Sequence, residues 1–185
     1  MGFLDRFRRV QNERPAPPVS IERTQAVQRC VQSFLDRDWE ASIRQASALA
    51  RERASLQVVQ MLLISMQRIK HEPEDEDYKL LWDDLVKLGR QMQGMDLILV
   101  RITLGEETLE EALRTASNID ERCKAYYYAG ARLLSTGYLR DASIALTQAA
   151  SHKSSTWELR FAMADLAWAG FLEKGMGGDI VNRVF

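Results

Sequence analysis

Apolar residues recur three and four positions apart along most of this chain, and from Ser20 onward the pattern predicts a succession of amphipathic helices. A first pair spans Glu22–Leu35 and Trp39–Arg51, with Val27, Cys30, Val31 and Phe34 on one apolar face and Trp39, Ile43, Ala46 and Ala50 on the other. A second pair joins Leu56–Lys70 to Tyr78–Met92, where Leu81, Trp82, Leu85 and Leu88 form the buried stripe. The acidic loop Glu72–Asp77 between them sets negative charge at a helix N-terminus, where the helix dipole favours it. Gly94 interrupts the pattern, and a shorter pair follows at Asp96–Leu104 and Leu109–Ser117. Thr108 stands at its N-cap, with Glu111 three residues on as in a capping box. The last pair is Glu121–Ser135 with Leu139–Ser151, and one long helix runs from about Thr156 to Lys174. The chain thus divides into a short amphipathic segment (1–10), a Pro-rich linker (11–20), a helical domain (21–178) and a tail (179–185).

Composition sharpens the class. All four prolines, Pro15, Pro17, Pro18 and Pro73, fall in the first 73 residues, and the remainder is rich in Ala, Leu, Gln, Arg and Glu, so the expected fold is all-α. At 185 residues the chain suits one domain or a short array of stacked hairpins. A formal charge of −1 gives no global reason to expect nucleic acid, which normally calls for a clearly basic face. Cys30 and Cys123 lie far apart among apolar residues, as small core side chains of a protein in a reducing cytoplasm. The N-terminus lacks the apolar stretch and cleavage site of a signal peptide. The run Leu56–Met66 is too short to span a membrane and carries Gln57 and Gln60, so it reads as a buried helix.

The most informative stretch is Tyr126-x2-Ala129-Gly130-x2-Leu133, then Gly137, Leu139, Ala142-x3-Leu146 and Ala149. It resembles the tetratricopeptide repeat (TPR), whose small residues let two antiparallel helices approach closely. Moving the first hairpin by 100 residues pairs Cys30 with Gly130, Phe34 with Leu134, Trp39 with Leu139 and Ser42 with Ala142, while Arg37 replaces the turn glycine. One hundred is near three times the roughly 34-residue TPR period. The resemblance implies a TPR-like α-solenoid of antiparallel helical hairpins. In that family the first helix of each hairpin lines a concave groove that binds other proteins. Carried over by position, Lys124, Tyr127, Ala131 and Leu134 face the groove, with Phe161, Asp165 and Trp168 from the last helix and Val27 and Val31 from the first. The segment from Tyr126 to about Gly170 is also similar to the last repeat of TPR-containing envelope lipoproteins of Gram-negative bacteria, through Tyr127-Tyr128-Ala129-Gly130, Leu134-Ser135-x-Gly137 and Glu158-x-Arg160-Phe161-Ala162. Those proteins act as adaptors. Their signal peptide and lipidated cysteine are missing here, so the envelope location does not carry over.

The expected function is therefore a bacterial, cytoplasmic, non-enzymatic adaptor, scaffold or chaperone-like protein holding a client protein or peptide. The alternative is a peripheral membrane protein. Phe3, Leu4 and Phe7 at helical spacing, with Arg6, Arg8 and Arg9, suit an anionic membrane surface and resemble the opening of the phage-shock protein A family. A third reading is a homo-oligomer in which this segment enters the groove of the next copy. No enzyme, cofactor or metal site is expected. His71 and His152 lie outside any metal-ligand spacing, and no P-loop, dinucleotide-binding or nucleophile motif is present. Gly175-Met-Gly-Gly178 follows a helix, as a stop does, and the Glu72–Asp77 carboxylates lack EF-hand spacing.

Overall fold

The computed structural model describes residues 21–52, 54–69 and 76–170. The segment 1–10, the linker 11–20, His71, most of the acidic loop, the glycines after Lys174 and the tail 179–185 lie outside them. Among the described residues every regular element is an α-helix, and the helices pack largely as antiparallel neighbours without a sheet. The chain divides between Met92 and Gln93 into two compact units.

The first unit holds α1 (Ile21–Leu35), α2 (Trp39–Glu52), α3 (Leu56–Arg68) and α4 (Glu76–Gly89), each packed chiefly on its neighbour in sequence. Helix α1 buries Cys30, Val31 and Phe34, and α2 answers with Ala41, Ser42, Ala46, Leu49 and Ala50. The small side chains of α2 allow close approach on both of its packed sides. On the second side the Ser65 and Ser42 hydroxyls bond at 3.0 Å across α2 and α3, where a lone buried hydroxyl would be costly. Ser55 caps α3 by accepting the Val58 amide. Every residue from Val58 to Met66 is buried, in keeping with the continuous apolar run. Helix α4 begins two residues ahead of the Tyr78 boundary that periodicity suggests, with Glu76 and Asp77 in its first turn. Tyr78 instead turns onto α3, donating its hydroxyl to the Met66 carbonyl.

The second unit holds α5 (Gly94–Leu104), α6 (Leu109–Thr115), α7 (Ile119–Ser135), α8 (Leu139–Ser151) and α9 (Trp157–Trp168). Helix α7 is its axis, packing against α5, α6, α8 and α9. It buries the small residues Cys123, Ala125, Ala129, Gly130 and Ala131 together with the large Tyr127, Tyr128 and Leu134, so close approach is confined to particular faces. Gly130 is the closest approach: a Cβ there would lie 2.8 Å from Cγ of Leu146 and 3.1 Å from its backbone nitrogen. The capping box at Thr108 forms by half. Thr108 accepts the Glu111 amide, but Glu111 pairs with Arg114, and the Thr108 amide donates to Glu107 instead. Helix α9 ends at Trp168, within the span the sequence suggests.

The hairpins α1–α2 and α7–α8 share three backbone hydrogen bonds at their turns. In one, the Gly137 amide donates to Leu134 (3.3 Å), Tyr138 to Leu133 (2.9 Å) and Ala142 to Tyr138 (2.9 Å). In the other, Arg37 donates to Phe34 (3.2 Å), Asp38 to Ser33 (3.0 Å) and Ser42 to Asp38 (2.8 Å). Both are Schellman caps with a left-handed residue after the helix, φ 84° at Gly137 and φ 62° at Arg37. The interior is complementary too, since a Gly130/Leu146 pair in one hairpin stands where the other has Cys30/Ala46. Volume moves from one helix to the other and the total is roughly kept.

Two stability measurements follow. Arg37→Gly removes a left-handed cost of about 1–2 kcal/mol, partly offset by chain entropy, and should stabilise the fold by about 0.5–1 kcal/mol in urea denaturation. Gly130→Ala should destabilise by about 1–3 kcal/mol through overpacking. In a Leu146→Ala background the same Gly130→Ala change should cost much less, giving a coupling energy well above the few tenths expected of independent sites.

Candidate functional site

The residues that the repeat pattern assigns to a groove gather in the second unit, mostly within its core. Tyr127, Ala131 and Leu134 on α7 and Phe161 and Asp165 on α9 are buried, Tyr127 at 0% and Phe161 at 2% exposure. Lys124 is half-buried, and Trp168 stands 63% exposed at the end of α9. In the first unit Val31 is buried and Val27 half-buried. The aromatic side chains pack with one another: the Tyr127 ring lies 5.7 Å from Phe161 and 5.2 Å from Tyr128. They hold α9 on α7, leaving Lys124 and Trp168 as the members a partner could touch without opening the core.

A polar contact completes this seam. The Tyr128 hydroxyl donates to the Glu158 carboxylate at 2.5 Å, with both residues buried. Burial first, and the adjacent carboxylate second, push the Tyr128 phenol well above its ordinary range, so it stays a donor. This is a structural clasp between α7 and the first turn of α9. Near it, Ser154 donates to Asp120 at 2.7 Å and lies 3.0 Å from Thr156, tying the loop before α9 to α7. Cys123 donates to the Ala149 carbonyl at 3.5 Å. Its thiol is pushed up chiefly by burial, and Cys30 is pushed up to about 11 for the same reason. Neither cysteine is activated as a nucleophile. His152 Nδ1 donates to the Gln148 carbonyl at 2.6 Å, so it acts as a C-terminal cap of α8. Among the described residues no group of three or more His, Cys, Asp or Glu is placed to hold a metal. No described helix is long and apolar enough to cross a membrane.

Among the described residues one concave feature that faces outward is a cleft of about 370 Å³ between the end of α5, the loop leading into α6 and the last turns of α7. Its apolar lining comes from Ile102, Leu109, Ala129 and Leu133, and Glu106, Glu107, Thr108 and Arg132 supply the polar lining. Gly105 ends α5 in the left-handed conformation, with φ 80°, and its amide bonds back to Ile102. That turn exposes a bare backbone surface, and the Arg132 guanidinium lies directly over it, in the space a Cβ would take. The Glu107 carboxylate is 3.6 Å from Arg101 and accepts the Thr108 amide at 3.0 Å.

Comparison with protein-family models, with curated proteins and with solved structures gives no match to this chain. Sequence reasoning missed the cleft because its walls come from three separate elements. The available signal was small: a helix-stop glycine at 105 and one arginine in a mostly apolar stretch of α7.

Two measurements test the roles given to the buried groups. Tyr128→Phe strips Glu158 of its donor and should cost about 1–3 kcal/mol, while Glu158→Gln keeps an acceptor and should cost less. For Cys30 the folded-state pKa lies above the ordinary 9.0, at about 11. The native state therefore holds the proton longer, and stability falls as pH rises from 9 towards 11. Urea midpoints at pH 8 and pH 10.5 should drop less in Cys30→Ala than in the parent chain.

Proposed function

We propose that this chain is a TPR-like helical-repeat protein that binds a segment of another protein, acting as a cytoplasmic adaptor or scaffold without catalysis. The observation that carries the reading is the recurrence of one hairpin at a spacing of 100 residues, with the same three turn hydrogen bonds and the same left-handed cap. A cap that costs strain at Arg37 and yet keeps the glycine geometry is a mark of repeated design. Packing in the second unit supports it further. Helix α7 nests on both helices of the preceding pair, and α9 nests on both α7 and α8, as stacked hairpins do.

Binding would use the surface that remains open. The cleft beside Arg132 is preformed by helices that are fixed on several sides, so a client would lose little affinity to ordering the protein. Its volume sits near the low end of the roughly 300–1,000 Å³ usual for ligand sites, which suits a few side chains of an extended segment. Trp168 offers a second, exposed aromatic contact. The buried Tyr127 and Phe161 serve by making the scaffold rigid.

Site-specific photo-crosslinking tests this reading. A benzophenone side chain at Glu106, on the cleft, should capture a defined partner in the cell. The same group at Ile144, exposed on α8 and outside the cleft lining, should not capture that partner. Purified partner should then bind the purified chain, and Leu133→Asp should weaken it at least tenfold. Equal capture from both positions, or none from either, would remove the support for a client-binding cleft.

A further inference from the structure

We propose that the cleft selects its client chemically, taking a segment in which an apolar side chain is followed closely by one carboxylate, with Arg132 as the residue that reads the charge. The inference rests on the client-binding reading above and adds the partner's chemistry.

The argument starts from charge. Four apolar side chains line the cleft, so an apolar group has somewhere to go. Of the charged groups beside them, Glu107 is compensated by Arg101 and by the Thr108 amide. Glu106 has an interaction of its own. Among the described residues the Arg132 guanidinium has neither an ion pair nor a hydrogen bond to a side chain or carbonyl. A half-buried guanidinium held in no ion pair among the described residues keeps donors to offer, and its planar fork matches a carboxylate in two parallel hydrogen bonds.

Position follows from the backbone. The guanidinium rests on Gly105, where any side chain would displace it, so the glycine turn sets its place in the cleft lining. Leu133, the next residue along α7, lines the same cleft as Arg132. The charge reader and the apolar lining are therefore adjacent, and a client must present its own apolar and acidic groups within a few residues. The carboxylates of Glu106 and Glu107 in the lining disfavour a polyacidic run, which restricts the choice to an isolated acid.

The test uses immobilised peptides with a Gly/Ser background, each holding one Leu or Phe followed at one to three residues by Glu, Gln or Lys. The intact chain should bind Glu peptides roughly tenfold or more over their Gln counterparts, and the preference should shrink with salt. Arg132→Gln should erase the preference, and Arg132→Glu should turn it towards Lys. Arg132→Lys, which keeps charge and loses the fork, should retain only part of it. Circular dichroism and thermal melts establish that each variant is folded, and the reversal by Arg132→Glu is a result that misfolding could not produce. Equal binding of Glu and Gln peptides, a preference that survives Arg132→Gln, or no binding to any peptide would overturn the proposal. Capture of a partner at Glu106 alongside any of those results would leave the client-binding reading standing and sink only the carboxylate selection.

Discussion

The second unit depends on how closely α8 can lie against α7. At Gly130 the two backbones are near enough that a single added carbon would press into Leu146. This approach fixes the position of α8, and α9 then packs on both helices of the pair. It also sets how much room remains on the other sides of α7, where α5 and α6 sit. Small residues here do more than avoid a clash. Dense interiors tolerate little error in volume, and the exchange of Gly130/Leu146 for Cys30/Ala46 between the two hairpins shows a shared backbone plan filled in two ways.

Polar groups in the interior are placed where helices must keep register. Ser42 and Ser65 satisfy one another between α2 and α3, and Tyr128 and Glu158 do the same between α7 and α9. Apolar packing is permissive about sliding along a helix axis, and a buried hydrogen bond is not, since losing it strands both partners. The cleft inherits its shape from this rigidity. Its parts are the ends of helices already fixed by packing elsewhere, so an arginine lying on a glycine turn can be held ready without a ligand.

The same rigidity holds Tyr127 and Phe161, two of the residues that the repeat pattern assigns to a groove. Tyr127 and Phe161 occupy positions that line a groove in the TPR family. Here they meet each other, Tyr127 from α7 and Phe161 from α9, inside the second unit. Period and spacing report that a position faces inward, towards a neighbouring element or a groove. They do not report how near the neighbour comes.

Helix type, order and most boundaries were legible in the chain, because 3.6-residue periodicity, the absence of proline after Pro73 and the turn glycine at Gly137 are local signals. The left-handed turn at Arg37 could be inferred only by setting it against Gly137, because arginine itself gives no such signal. What tertiary structure alone decided was the fate of the side chains: the closure of the aromatic seam, the pairing of Tyr128 with Glu158 thirty residues away, and the placing of Arg132 over Gly105. Each depends on distances between helices. Those distances are set by the sum of all the packed volumes, a quantity that no single stretch of sequence contains.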